Sequence, residues 1–233
     1  MKNKYTFNQE YFKTIDTEEK AYILGFLYAD GNLSNAETDK HYRVRLLLKE
    51  EDGKILERIK KEIEYTGPIH YRESKYKNPN CVSYRKGYKI AQLEINSKVL
   101  HKQLYDLGVV PNKTFKITYP NIPKELNRHF IRGFFDGDGS IYLRKNRPNG
   151  FRVNITCASK KFLSTVANIL LENTTITNCN VCQTKNMYRI DKDKNNAIKI
   201  LDWLYGNSKI YLERKYELYK ELKAKMSLKA ETP

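Results

Sequence analysis

Cysteine is scarce in this chain: four in 233 residues, with Cys179-Asn180-Val181-Cys182 the one Cys-x-x-Cys pair. A structural zinc site takes about four ligands. No second pair stands at metal spacing, so the composition argues against zinc and for reduced, intracellular thiols. The four histidines, His41, His70, His101 and His129, are scattered and form no His-containing nuclease motif. Neither a nucleophile elbow nor a Gly-rich phosphate loop is present. No apolar run approaches the roughly 20 residues of a membrane span, and no signal peptide opens the chain. The expectation is a soluble protein, cytoplasmic or organellar, with no membrane partner. Acidic residues are also in deficit, 27 Asp and Glu against 43 Lys and Arg, for a formal charge of +16 and a pI near 9.5. A polyanion is the natural partner for such a chain.

What is there is doubled. Ile23-Leu24-Gly25-Phe26-Leu27-Tyr28-Ala29-Asp30-Gly31 recurs 108 positions later as Ile131-Arg132-Gly133-Phe134-Phe135-Asp136-Gly137-Asp138-Gly139. Each run is apolar on nearly every side, which predicts a buried helix rather than a surface one. Gly25 and Ala29, like Gly133 and Gly137, lie one turn apart and form a small-residue strip. Two such strips let two helix backbones approach more closely than the usual 8–10 Å or so. Asp16 with Glu19 fits an N-cap and N3 pair, Pro123 fits a first helical position, and Gly31 and Gly139 fit C-terminal stops. Asp30 and Asp138 then fall in the last turn of each helix, where a carboxylate opposes the helix dipole at about 0.3–1 kcal/mol. Stability alone does not favour them there. A hard divalent cation shared between or beside the two carboxylates offsets the repulsion, and such ions prefer oxygen ligands. Asp-Gly is also an ordinary turn dipeptide; its repetition in register with the small-residue strip sets these two copies apart.

At these residues the chain resembles the LAGLIDADG homing endonucleases, in the single-chain form with two motif copies. The eighth motif position, which binds the catalytic metal in that family, falls on Asp30 and Asp138. The resemblance implies that the carbonyls of Ala29 and Gly137 complete the shell, with Mg²⁺ as the ion and Mn²⁺ or Ca²⁺ able to take the same site. It covers most of residues 15–225. Two departures stand out: the sixth position is Tyr28 in one copy and Asp136 in the other, and Arg132 replaces the usual small or apolar second residue.

The charge sits in strand-like segments. In 41–48, Arg43 and Arg45 alternate with Val44 and Leu46, which predicts a strand with one packed and one basic face. Segments carrying Arg72, Lys75, Arg85 and Lys89 continue the theme in the first half, and Arg144, Arg147, Arg152, Lys185 and Arg189 do so in the second. Interleaved Arg, Lys, Gln, Asn and Tyr on a curved sheet offer both phosphate contacts and base-edge donors. Basic residues beside the metals are expected to stabilise charge on the phosphate. The family layout points to Lys98 in the first half and to Lys192 or Lys194 in the second, with Lys49 a weaker candidate.

Each half reads as helix, two strands, helix, two strands, helix: an α+β fold of two pseudo-symmetric αββαββα halves, 1–115 and 116–233. The resemblance adds saddle-shaped antiparallel sheets and paired central helices. The middle helices are expected at 52–64 and 160–171, the closing helices near Lys98 and Asn196, and a Tyr-rich last helix packs on the second half. Pro111-Asn112 and 119–123 bracket an extended connector. The expected activity is that of a monomeric, metal-dependent endonuclease that cuts both strands of a long, pseudo-palindromic or asymmetric double-stranded DNA site. The chain starts at Met1 and ends in Ala-Glu-Thr-Pro without residues for protein splicing, so a free-standing enzyme is expected over an intein domain, and the resemblance implies intron homing. The rival class is a non-cutting binder, either an RNA maturase acting on intron RNA or a DNA-binding regulator.

Overall fold

The structure, a computed structural model, describes residues 5–35, 38, 40–73, 89–111, 116–144 and 150–230. Helix α1 spans Glu18–Asp30. Its cap is Thr17, one residue later than the sequence suggested: the Thr17 hydroxyl accepts from the Lys20 N–H at 3.2 Å, and Asp16 instead ion-pairs with the Lys20 side chain at 2.8 Å. Chain order then continues with β1 (Gly31–Leu33), β2 (Arg43–Lys49), α2 (Gly53–Glu62), β3 (His70–Glu73), β4 (Lys89–Asn96) and α3 (Lys98–Asp106). The second series runs α4 (Asn127–Asp138), β5 (Gly139–Leu143), β6 (Phe151–Cys157), α5 (Lys160–Asn173), β7 (Cys182–Thr184), β8 (Met187–Asp193), α6 (Lys194–Tyr205) and α7 (Glu213–Ala230). Both series are αββαββα, and α7 is an addition to the second. None of the described helices is long and apolar enough to cross a membrane.

Helix starts follow local chemistry. The Ser97 and Ser159 hydroxyls accept from the N–H groups of Leu100 and Phe162, capping α3 and α5. Pro123 is extended (ψ 135°) and precedes a 3₁₀ turn at Lys124–Leu126, so α4 opens four residues later than Pro123 itself. Gly139 is no left-handed stop either. It is extended (φ −84°, ψ 163°), and the chain passes from α4 straight into β5. Glycine is required there for space, because a Cβ would lie 2.1 Å from the Phe135 ring.

Contacts divide the chain into two units, residues 1–14 with 30–111 and residues 15–29 with 112–233. Helix α1 up to Ala29 therefore packs with the second series, although it opens the first. The cause is the glycine pair. A Cβ on Gly25 would stand 1.9 Å from the Phe130 carbonyl oxygen, and one on Gly133 would stand 1.9 Å from that of Tyr22. Each helix occupies the space the other's missing side chain leaves. Around them Tyr28 and Tyr119 lie against Phe130 and Phe162, with ring centroids 5.0–6.0 Å apart.

In the first unit the sheet order is β1-β2-β4-β3, all antiparallel. Val44, Leu46 and Leu48 of β2 stand beside Leu93 and Ile95 of β4 on the buried face, over Ile55, Leu56 and Ile59 of α2. The second unit repeats this as β5-β6-β8-β7. There Phe151, Val153 and Ile155 of β6 and Ile190 of β8 are buried, as are Phe162, Leu163 and Val166 of α5.

Alanine in an exposed helix interior gains about 1 kcal/mol over glycine. At Gly25 and Gly133 the sign reverses, because the obstructing atoms are backbone and cannot rotate away. Gly25→Ala and Gly133→Ala are each expected to lower the unfolding free energy by about 3 kcal/mol in urea denaturation. Gly53→Ala is the control: a Cβ there meets the half-exposed Tyr71 side chain at 3.2 Å, which can swing aside, so stability holds or rises.

Candidate nucleic-acid interface and acidic motif ends

Both motif acids are the last residue of their helix, and each is followed at once by the first strand of a sheet. Neither α1 nor α4 has a basic residue in its last turn. Asp138 is exposed and Asp30 half-exposed. The Asp138 carbonyl accepts from the Thr156 hydroxyl at 3.2 Å. The donors at hand are all oxygen: the carboxylates and the carbonyls of Ala29 and Gly137 that share their turns. This set suits a hard cation such as Mg²⁺. No group of three or more His, Cys, Asp or Glu side chains at ligating distance occurs among the described residues. Any ion held here therefore depends on backbone, water and ligand oxygens as well as on carboxylate.

Strand alternation sorts the predicted basic residues. On the first sheet Asn32, Arg43, Arg45, Gln92, Glu94, His70 and Arg72 share the face turned away from the core. They are linked: Arg45 pairs with Glu94 at 2.7 Å, Gln92 donates to Glu94 at 3.1 Å, and Arg72 donates to Gln92 at 2.9 Å. Lys89 is not part of this set. It falls in register with Ala91 and Leu93 on the opposite face and pairs with Glu50 at 3.6 Å. Lys49, at the end of β2, faces Glu51 at 3.4 Å. Lys75, Arg85 and Arg147 lie outside the described residues.

The outward face of the second sheet carries Tyr142, Arg152, Asn154, Thr156, Arg189, Asp191 and Asp193. Arg189 pairs with Asp191 at 2.8 Å, and Asn154 donates to the same carboxylate at 2.7 Å. Arg152 is bonded to Asp193, with Arg144 3.8 Å from it. Lys185 is exposed in the turn between β7 and β8. Exposed pairs of this kind contribute about 0–1 kcal/mol each, so a phosphate or base edge can displace them cheaply. In the structure they orient the guanidinium groups of Arg45, Arg152 and Arg189.

Lys192 does not fit the role expected of it. In β8 it alternates to the packed face, is buried, and donates to the Asn178 side chain at 2.7 Å. Lys194 is the positional match to Lys98. Lys98 is the first residue of α3, after the strand β4 and the cap Ser97; Lys194 is the first residue of α6, after β8 and Asp193. Lys98 is exposed, with its ammonium 5.8 Å from the Tyr42 ring.

Sequence reasoning missed a buried polar network behind the second motif. The Asp136 carboxylate, 1% exposed, accepts from the Tyr22 hydroxyl at 2.8 Å, the Leu212 N–H at 2.7 Å and the Tyr205 hydroxyl. Burial pushes its pKa above the ordinary carboxylate value, against the pull of Lys215 and those donors. Arg132, wholly buried, donates to Glu18 at 2.7 Å, to the Ile210 carbonyl at 2.9 Å and to the Leu204 carbonyl at 3.1 Å, and lies over the Tyr22 ring. A signal existed: these are the two positions where the second copy is charged and the first carries Leu24 and Tyr28.

Residues 125–199 match the family of LAGLIDADG-like domains. Among solved structures, the chain resembles the homing endonuclease I-WcaI bound to its DNA recognition sequence (TM-score 0.59, 17% identity, 90% of this chain and 91% of that one). It also resembles I-DmoI in complex with DNA and Mn (TM-score 0.52, 16%, 82% and 98%) and the N-terminal LAGLIDADG domain of WhiA (0.52, 16%, 91% and 96%). A DNA polymerase of Thermococcus hydrothermalis is 28% identical over 153 residues, 64% of this chain and 8% of the polymerase. The chain spans less than a tenth of the length of the curated relatives it matches.

The matched residues are similar to LAGLIDADG-like domains, and the solved structures share the fold of the whole repeat. The repeated αββαββα architecture carries the same fold into the first series, with two four-stranded antiparallel sheets. The LAGLIDADG-like segment contains α4, Asp138, the whole second sheet with Arg144, Arg152 and Arg189, and Lys194.

The network behind α4 has a pH signature. Burial first, and then the Arg132 charge, push His129 down to about 4. Glu18 is also lowered: burial opposes this, but the Lys209 N–H, Arg132 and His129 outweigh it. Between about pH 6.5 and 4 the unfolded chain holds more protons at His129 than the folded one, so stability is lost as pH falls through that window. Because the raised Asp136 acid acts in the opposite sense, the His129 contribution is read as a difference: the urea midpoint of the intact chain relative to that of His129→Gln should drop from pH 7 through 6 to 5.

Proposed function

We propose that this chain is a sequence-specific, divalent-metal-dependent endonuclease that hydrolyses both strands of a long, pseudo-palindromic or asymmetric DNA site. The observation that carries the reading is the repeated placement of an aspartate between a buried motif helix and a sheet whose outward face bears paired arginines. The fold likeness to endonucleases described as DNA-bound supports it, as does the net charge of +16.

Each sheet reads its own stretch of duplex. Arg43, Arg45 and Arg72, and in the second series Arg144, Arg152 and Arg189, supply phosphate and guanine-edge donors, while Asn154, Gln92 and the pairing carboxylates add adenine and cytosine contacts. The two faces differ in side chains, so the site is not a true palindrome. Asp30 and Asp138, with the Ala29 and Gly137 carbonyls, would hold divalent cation, Mg²⁺ by preference with Mn²⁺ or Ca²⁺ able to replace it. Such an ion lowers the pKa of a bound water and polarises the scissile phosphate. Lys98 and Lys194, at matching helix starts beyond β4 and β8, act as charge sinks for the developing phosphorane. The protein acts as a monomer, both motif copies being in one chain.

A randomised double-stranded DNA library incubated with the protein and Mg²⁺ tests this. The intact chain should yield cut products sharing one consensus, and Asp30→Asn or Asp138→Asn should abolish the double-strand break. Binding without cutting that neither variant alters would establish the rival, a non-cutting nucleic-acid binder. On the selected site, Lys98→Met and Lys194→Met should each slow cleavage about a hundredfold. Lys192→Met, once shown to be folded, should leave the rate unchanged.

A further inference from the structure

Helix α4 ends with carbonyls that have no partner within the helix and carry partial negative charge. Its own last turn has no basic residue. The positive group arrives from elsewhere. Lys215, in the first turn of α7 and 4% exposed, donates from its ammonium to the carbonyls of Phe135 and Asp136, both at 2.7 Å, and to that of Gly139. The Thr156 hydroxyl takes the Asp138 carbonyl. In the run from Phe135 to Gly139, the carbonyl to which none of these donors goes is that of Gly137, the residue before the motif acid.

Lys215 is itself held by the helix it caps. The Asp136 carboxylate accepts the N–H of Leu212 at 2.7 Å, and the Leu212 carbonyl accepts that of Lys215 at 3.1 Å. An acid of α4 thus sits at the N-terminus of α7, and a lysine of α7 sits at the C-terminus of α4. Each charge complements the other helix's dipole. Both ends of the Gly137-Asp138 segment are bracketed by carbonyls bound to one ammonium.

We infer that Lys215 is a positioning residue for the Asp138 tip, fixing the turn from α4 into β5 so that the Asp138 carboxylate and the Gly137 carbonyl face a divalent cation together. This rests on the reading of Asp138 as a cation-binding acid. The arrangement belongs to the second motif alone, since the first has Tyr28 where Asp136 stands.

The sign of one measurement separates this role from others. Removing a nearby positive charge should, by Coulomb's law alone, strengthen cation binding; loss of positioning should weaken it. Mn²⁺ binding to the full-length protein, followed by electron paramagnetic resonance without DNA, reads this independently of cleavage. Lys215→Met, confirmed folded by circular dichroism, is expected to weaken Mn²⁺ binding about tenfold, and Asp138→Asn to remove one bound ion. Lys223→Met, further along α7, breaks an exposed pair with Asp202 of α6 and should bind as wild type. If Lys215→Met does not fold, Lys215→Gln, which keeps amide donors but no charge, takes its place, with weakening of threefold or more expected. Equal or tighter binding in the folded Lys215 variant, while Asp138→Asn loses the ion, overturns the positioning role alone. Undiminished binding in Asp138→Asn overturns the cation reading and this inference with it.

Discussion

Everything in the second unit is arranged around two backbones in contact. Gly25 against the Phe130 carbonyl and Gly133 against the Tyr22 carbonyl leave no room for even one methyl group. Protein interiors are close-packed and yield little, so this contact sets which residues of α1 and α4 can be neighbours. It brings Glu18 to Arg132 and Tyr22 to Asp136. It also explains why α1, which opens the first series in sequence, belongs by contact to the second unit. The motif helix serves one unit while the acid at its end, Asp30, belongs to the other and opens that unit's longer segment.

The electrostatics of the two outward faces follow a common plan. Each arginine set has a carboxylate among it: Glu94 for Arg45, Asp191 for Arg189, Asp193 for Arg152. A face made only of Arg and Lys would attract any polyanion through phosphate contacts, which carry no sequence information. Pairing lowers that general attraction and leaves guanidinium planes with defined orientation, a requirement for bidentate contacts to base edges.

The two motif copies are not equivalent, and the difference is chemical. In the first copy Leu24 and Tyr28 make an apolar helix; Tyr28 joins the aromatic cluster of Phe130 and Phe162. In the second, Arg132 and Asp136 replace them and are buried with nearly every hydrogen-bonding capacity met by α1, the segment 204–212 and α7. Buried charge is tolerated only when so compensated. At Asp136 part of that compensation comes from the start of α7, through the N–H of Leu212 just before it and the Lys215 ammonium on the Asp136 carbonyl.

Much was legible from residues alone, because it depends on local periodicity and on repetition. The doubled motif, the αββαββα order, the buried helices and the alternation of Arg43 and Arg45 with Val44 and Leu46 all follow from spacing, and the α+β fold they predict is the one found. The helix caps were displaced by one to a few residues, since Thr17 and the turn after Pro123 compete with equally plausible neighbours. The face on which Lys89 and Lys192 fall was not read from the sequence, although Ala91 and Leu93 in β4 and Ile190 in β8 share their phase; where each strand begins and ends, and so whether the lysine at or near its end lies on the packed side, is decided by the partner strands β2 and β6 and the helix beneath. The same holds for the network of Arg132, Asp136 and Lys215. The sequence by itself determined the elements, their repetition and the two acids at the helix ends, all set by neighbours a few residues away. Tertiary structure alone decided which lysine meets those ends, because Lys215 reaches Phe135, Asp136 and Gly139 across more than 75 residues of chain, a separation over which no local pattern carries information.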